Sequence, residues 1–97
     1  MAVIVLAVEV KDDLERILDH LTAHDAASPQ ARIKVIVEAL GVLAGSPLIG
    51  RPTTGGKREL VIGRGTRGYI ALYRYDATRD TVFILAIRNQ REAGFRR

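Results

Sequence analysis

Residues 69–88 read Tyr-Ile-Ala-Leu-Tyr-Arg-Tyr-Asp-Ala-Thr-Arg-Asp-Thr-Val-Phe-Ile-Leu-Ala-Ile-Arg, two β-rich runs split by a five-residue turn. A connection as short as Asp76-Ala77-Thr78-Arg79-Asp80 permits only antiparallel pairing of strands at about 68–75 and 81–88. The second run is apolar at both alternations, with Phe83, Leu85 and Ile87 on one side and Val82, Ile84 and Ala86 on the other. Such a strand belongs in the interior of a sheet. Upstream, Arg58-Glu59-Leu60-Val61-Ile62 supplies a third run, joined to the next by the basic hairpin loop Gly63-Arg64-Gly65-Thr66-Arg67-Gly68.

The first half of the chain reads differently. Residues 2–8 are β-rich and bounded by charge, so they suggest a first strand. From Lys11 to about His24, Leu14, Ile17, Leu18 and Leu21 fall on one face of an amphipathic helix, with Asp12 and Asp13 suited to its positive N-terminal end. Ser28-Pro29 is a helix-start signal, and the spacing predicts a second helix to about Ala44, stopped by Gly45-Ser46-Pro47. Its apolar surface exceeds one stripe, because Val35, Ala39 and Val42 flank Ile33, Ile36, Val37, Leu40 and Leu43. A broad core-facing stripe explains this, and so does a partner-binding surface. Residues 45–57 are loop chemistry throughout. The expected class is α+β, in the order β-α-α-β-β-β, with a helical hairpin on an antiparallel sheet. Residues 1–97 form one domain, with 91–97 a flexible tail.

Composition narrows the chemistry. The chain has no cysteine, which excludes disulfides, thiolate metal sites and a cysteine nucleophile and fits a reducing cytoplasm. Met1–Val8 has no basic segment before it and acidic residues after it, unlike a secretory signal. The expectation is a soluble cytoplasmic protein. His20 and His24 have metal-site spacing, but no third ligand type supports it, so they read as a surface pair without metal or cofactor. The glycine-rich loop at 63–68 joins strand to strand, whereas a dinucleotide fingerprint opens a helix.

Charge is divided sharply along the chain. Residues 1–50 hold four Lys/Arg against seven Asp/Glu, and residues 51–97 hold eleven against four. One face should therefore meet an anion, either nucleic acid or an acidic protein segment. The basic half has no histidine, and its carboxylates Glu59, Asp76, Asp80 and Glu92 read as turn or paired residues. General acid–base catalysis finds few candidates there. Arg74 and Arg88, with Arg91 just beyond, read either as a convergent anion site near one sheet edge or as a solvated cationic edge, depending on a strand register that the sequence does not specify. Tyr69, Tyr73 and Tyr75 alternate along one strand, a pattern of sheet packing more often than of base stacking.

Several short motifs occur in a telling order: Asp13-Leu14-x-x-Ile17, Pro47-Leu48-Ile49-Gly50-Arg51-Pro52, Arg58-Glu59-Leu60, Tyr73-Arg74, Val82-Phe83-Ile84-Leu85-Ala86-Ile87-Arg88 and Gln90-Arg91-Glu92-Ala93-Gly94-Phe95. In this order the chain resembles the ParE/RelE superfamily of toxins from type II toxin–antitoxin pairs, the ParE branch more than RelE. The resemblance implies a toxin that inhibits DNA gyrase by binding, without catalytic residues, and is held inactive in a complex with a cognate antitoxin. It makes Arg58, Arg64, Arg67, Arg74, Arg88 and Arg91 the expected target-binding set, and Val35, Val42, Arg74 and Arg88 the expected antitoxin contacts. The alternative is a ribosome-dependent mRNA interferase of the RelE kind. Departures from that branch weigh against it: Ile70 stands where an arginine is found, and Phe95 where a tyrosine ends the tail. Asn89 stands where a histidine is common in the family as a whole. Leu6-Ala7-Val8 likewise replaces the aromatic-Ser/Thr-Pro cluster common in the family.

Overall fold

A computed structural model describes residues 1–24, 27–64, 68–91, 94 and 95. The elements are β1 (Val3–Leu6), α1 (Val8–Ala23), α2 (Pro29–Leu40), α3 (Val42–Gly45), β2 (Arg51–Pro52), β3 (Arg58–Ile62), β4 (Tyr69–Asp76) and β5 (Thr81–Asn89), with a short 3-10 turn at Thr54–Gly56. One five-stranded sheet has the order β1-β5-β4-β3-β2. The expected α+β class stands, and β5 lies inside the sheet as its two-sided apolar pattern requires.

The antiparallel rule holds for β2 through β5, but β1 pairs with β5 in parallel, Val3 opposite Thr81 and Leu6 opposite Ile84. The short hairpins fix the direction of their own strands only. A strand separated from its partner by both helices is free to join either way.

Helix α1 begins at Val8, earlier than the Lys11 expected from the apolar spacing. Val10 is fully buried, and the inward stripe is Val10, Asp13, Ile17 and Leu21. Asp13 therefore points into the core, not at the helix end, where Glu9 is the acidic residue of the first turn. At the start of α2, Ser28 has a left-handed backbone (φ 50°) and its hydroxyl makes no capping bond. Its carbonyl instead accepts from the Arg32 N–H at 3.2 Å. The second helix ends at Leu40, and α3 follows Gly41 as a separate turn. Of the expected stripe, Ile36, Leu40 and Leu43 are buried, whereas Val37 is exposed along with Val35 and Val42.

The core lies between these helices and one face of the sheet: Val10, Ile17, Leu21, Ile36, Leu40 and Leu43 meet Tyr69, Ala71, Tyr73, Val82, Ile84 and Ile87. Tyr73 and its alternating neighbours thus pack the sheet and do not present a stacking platform. The Tyr73 hydroxyl accepts from the Gly50 N–H at 2.8 Å, which draws the loop of 45–52 onto the core. A Cβ at Gly50 would stand 2.6 Å from the Tyr73 ring and 2.8 Å from the Glu59 carbonyl. Gly50→Ala is therefore expected to destabilise the protein by about 1–3 kcal/mol through overpacking. Thermal unfolding checks this, with Tyr73→Phe as the milder comparison, since it removes only the hydrogen bond, worth about 1 kcal/mol.

Candidate interaction surface

Because side chains alternate along a strand, the residues between the core positions of β4 fall on the other face. These are Ile70, Leu72 and Arg74, and the register extends their rows: Val5 beside Phe83 beside Arg74, Ala86 beside Leu72 beside Glu59, and Arg88 beside Ile70 beside Val61. No residue of the described helices belongs to this face. Val3, Val5 and Val61 are exposed on it at 60, 40 and 45%. In the middle of this face Ile70 and Ala86 are buried and Leu72 and Phe83 half-buried, so the exposed apolar residues of this open face, on the side away from the helices, are the flanking Val3, Val5 and Val61, with arginines at the two ends.

The arginines do not converge. Arg74 and Arg88 share the open face, but Arg88 pairs with Ile70, four residues along β4 from Arg74. At about 3.3 Å per residue this separates them by roughly 13 Å. Arg74 is exposed at one end. Arg88 is half-buried at the other, with its guanidinium 4.9 Å from the centre of the Phe95 ring and donating to the Asn89 carbonyl at 3.2 Å. Arg64 and Arg91, both exposed, belong to this second end, where Gln90 N–H bonds the Gly68 carbonyl and closes the loop end against β5. Arg67 lies outside the described residues, as do Glu92, Ala93, Arg96 and Arg97 of the expected tail.

Arg58 sits elsewhere. Its Cα partner is Tyr73, so it falls on the helix side, and its guanidinium donates to the carbonyls of Leu48 at 3.1 Å and Gly50 at 2.8 Å. It clamps the loop before β2. Its guanidinium thus faces this loop on the helix side and not the face that carries Arg74.

The carboxylates near this surface are engaged. Glu59 pairs with Arg51 at 3.2 Å, and Asp76 with Arg79 at 3.1 Å. Asp80 accepts from the Tyr75 hydroxyl at 2.7 Å, and this bond raises the Tyr75 pKa above its ordinary value. The histidines are remote, on α1, with ring centroids 4.2 Å apart and His24 Nδ1 at 2.8 Å from the His20 carbonyl. Among the described residues no group of three or more His, Asp or Glu is placed to hold a metal ion.

Val35 and Val42 are both exposed but sit on α2 and α3, on the helix side, whereas Arg74 and Arg88 are on the open face. One partner touching all four must wrap around the molecule. Val35 lines a groove with Arg32, Ile36, Ile62, Gly63 and Tyr69, and Val42 does not. Sequence reasoning missed this groove, and it missed the buried Asp13. The available signal for Asp13 was its place between Val10 and Ile17 on the inward stripe.

The sequence profile described as "ParE toxin of type II toxin-antitoxin system, parDE" matches residues 4–94. The chain belongs to the ParE toxin family. Its fold is similar to that of a chain of the chromosomal ParDE system from P. aeruginosa, with a TM-score of 0.77, 24% identity, and 92% of this chain and 96% of that one covered. It is also similar to a chain of the RelBE2 toxin–antitoxin complex from Mycobacterium tuberculosis, with a TM-score of 0.62, 26% identity, and coverage of 92% and 98%. No curated protein matches it. This ParE-family chain is thus the toxin of a type II toxin–antitoxin system. No helix among its described residues is long and apolar enough to cross a membrane.

Proposed function

We propose that this toxin binds DNA gyrase in the cytoplasm through the open face of its sheet, blocks replication without catalysing a reaction, and is neutralised by its cognate antitoxin. The observation that carries this reading is the face itself: exposed Val3, Val5 and Val61 with Arg74 at one end and Arg64, Arg88 and Arg91 at the other. Exposed apolar residues beside cations suit a protein carrying acidic surface or bound DNA, and arginine contacts are among those that dominate such interfaces. The gyrase target itself is taken from the resemblance to the ParE branch.

The chemistry of the face favours binding over cleavage. Its nearby carboxylates are held by Arg51, Arg79 and Tyr75, and Ile70, at the position where the RelE branch has arginine, is buried. In-line cleavage of RNA needs a group to take the proton of the attacking hydroxyl and cations to hold the developing charge. The face supplies the second and, among the described residues, has its acids already engaged.

Expression of the toxin alone tests the reading in cells. The expected result is DNA breakage and filamentous growth while protein synthesis continues, measured by pulse labelling and pulsed-field electrophoresis. Translation arrest with cut mRNA before any DNA damage would overturn it.

A further inference from the structure

The end of the open face that carries Arg74 holds a second cation. Beyond the Arg58–Tyr73 pair, the next position of the β3–β4 ladder sets Lys57 against Arg74, and Lys57 keeps extended backbone with ψ 164°. Opposite residues of an antiparallel pair share a face, so both side chains rise on the open side. Like charges placed directly opposite one another repel. No acid relieves them here, because Glu59 is taken by Arg51 and Asp76 by Arg79. Among the described residues neither Lys57 nor Arg74 has a carboxylate partner.

Both cations border the same bare stretch of backbone. Just before Lys57 the chain runs Thr53-Thr54-Gly55-Gly56, exposed throughout. Gly55 and Gly56 both take φ 72°, and neither places a side chain over the turn. A Cβ at Gly55 would stand 4.0 Å from Lys57 Cε, and one at Gly56 would stand 3.6 Å from Arg74 Nη1. An anion seated on the two glycines therefore meets an ammonium and a guanidinium from adjacent strands. Phosphate suits that better than carboxylate, since its oxygens project in several directions and accept from donors on different strands.

The corner is exposed, so a lone phosphate would be held weakly against screening by salt. A polymer of phosphates gains from a second contact. Exposed Arg64 and Arg91 lie at the other end of the face, with Arg88 and roughly 13 Å from Arg74 along the strands. Along one strand of duplex DNA, at about 3.4 Å per phosphate, that is roughly four nucleotides. We propose that Lys57, Arg74 and the Gly55–Gly56 turn seat one phosphate of a DNA backbone whose next contacts are at the Arg64–Arg91 end. This deepens the reading of the open face as the target-binding surface and rests on it.

The test is fluorescence anisotropy of a labelled duplex of about 20 base pairs with the full chain, over a series of salt concentrations. Lys57→Gln and Arg74→Gln are each expected to weaken binding about tenfold, and equally for two duplexes of unrelated sequence, since a phosphate carries no sequence. The double variant should lower the slope of log affinity against log salt by about 0.9, the value for one phosphate and not for two. Lys11→Gln removes the same charge from an exposed site on α1 and should change neither quantity. An unchanged unfolding midpoint verifies the fold of each variant. Inorganic pyrophosphate should shift the amide resonances of Gly55, Gly56 and Lys57 in the labelled protein, and a polyglutamate peptide should not. The proposal is overturned by an equal loss with Lys11→Gln, by full affinity in the double variant, by tighter binding of polyglutamate than of duplex, or by pyrophosphate shifts without duplex binding. Supercoiling assays separate this from the functional reading. Absence of duplex binding by a toxin that still inhibits gyrase sinks the phosphate seat alone, whereas duplex binding that depends on Lys57 in a toxin inert toward gyrase sinks the gyrase target alone.

Discussion

Replacing Asp13 by alanine is expected to lower the thermal unfolding midpoint by about 10–20 °C. The carboxylate is 3% exposed, and its Oδ2 accepts from the backbone N–H of Ile87 at 2.9 Å. Its Oδ1 lies 3.6 Å from Arg16 Nη2, which itself donates to the Ile87 carbonyl at 3.4 Å. The two side chains together bind both polar groups of one residue of β5, just past the irregularity at Leu72/Tyr73 in its ladder with β4. Alanine leaves that buried N–H unsatisfied and removes a charge partner of Arg16. An orphaned buried group costs about 1–3 kcal/mol, more where a charge is involved. For a domain of this size each kcal/mol shifts the midpoint by roughly 4–8 °C. Asp13→Asn keeps an acceptor oxygen and should lose less. A midpoint unchanged within error for Asp13→Ala, measured by circular dichroism, would show that the β5 contact carries no stability.

The second large effect is functional. Arg74→Glu should reduce gyrase inhibition by tenfold or more while leaving the midpoint nearly unchanged. Arg74 is exposed at the end of the open face, and exposed substitutions usually alter stability by less than about 0.5 kcal/mol. Reversing a charge that meets an acidic partner places like charges together, at a cost of several kcal/mol in binding. Arg58→Ala should behave in the opposite way. It frees the carbonyls of Leu48 and Gly50 and lowers stability, by about 1.5–3 kcal/mol for bonds to a charged donor, yet spares inhibition by the protein that remains folded. Paired midpoint and supercoiling measurements on the two variants separate a charge that meets the target from one that holds a loop.

Local pattern made much of the fold legible. The three strands β3, β4 and β5 follow from alternation and short turns, and their boundaries fall within one residue of those expected. What escaped depends on contacts distant in sequence. The parallel pairing of Val3–Leu6 with β5 spans most of the chain, and nothing local encodes it. The two-residue strand Arg51–Pro52 exists because β3 offers an edge, not because its own sequence is β-like. Within the basic set, strict alternation would leave Arg88 on the side of Val82 and Ile84; the irregularity opposite Leu72/Tyr73 turns Ala86 and Arg88 to the face of Arg74, and their separation along the strands likewise needed the register. The role of Arg58 was hidden for a different reason: an arginine clamping carbonyls and an arginine awaiting an anion look identical in sequence. Asp13 escaped likewise, since a carboxylate near a helix start reads as a dipole partner until its amide partner on β5 is seen.

The most direct measurement is supercoiling by purified gyrase titrated with the toxin, beside a ribosome-programmed mRNA cleavage reaction containing the same preparation. The expected result is loss of supercoiling with intact mRNA. Cut mRNA with supercoiling unaffected would contradict a binding toxin directed at gyrase.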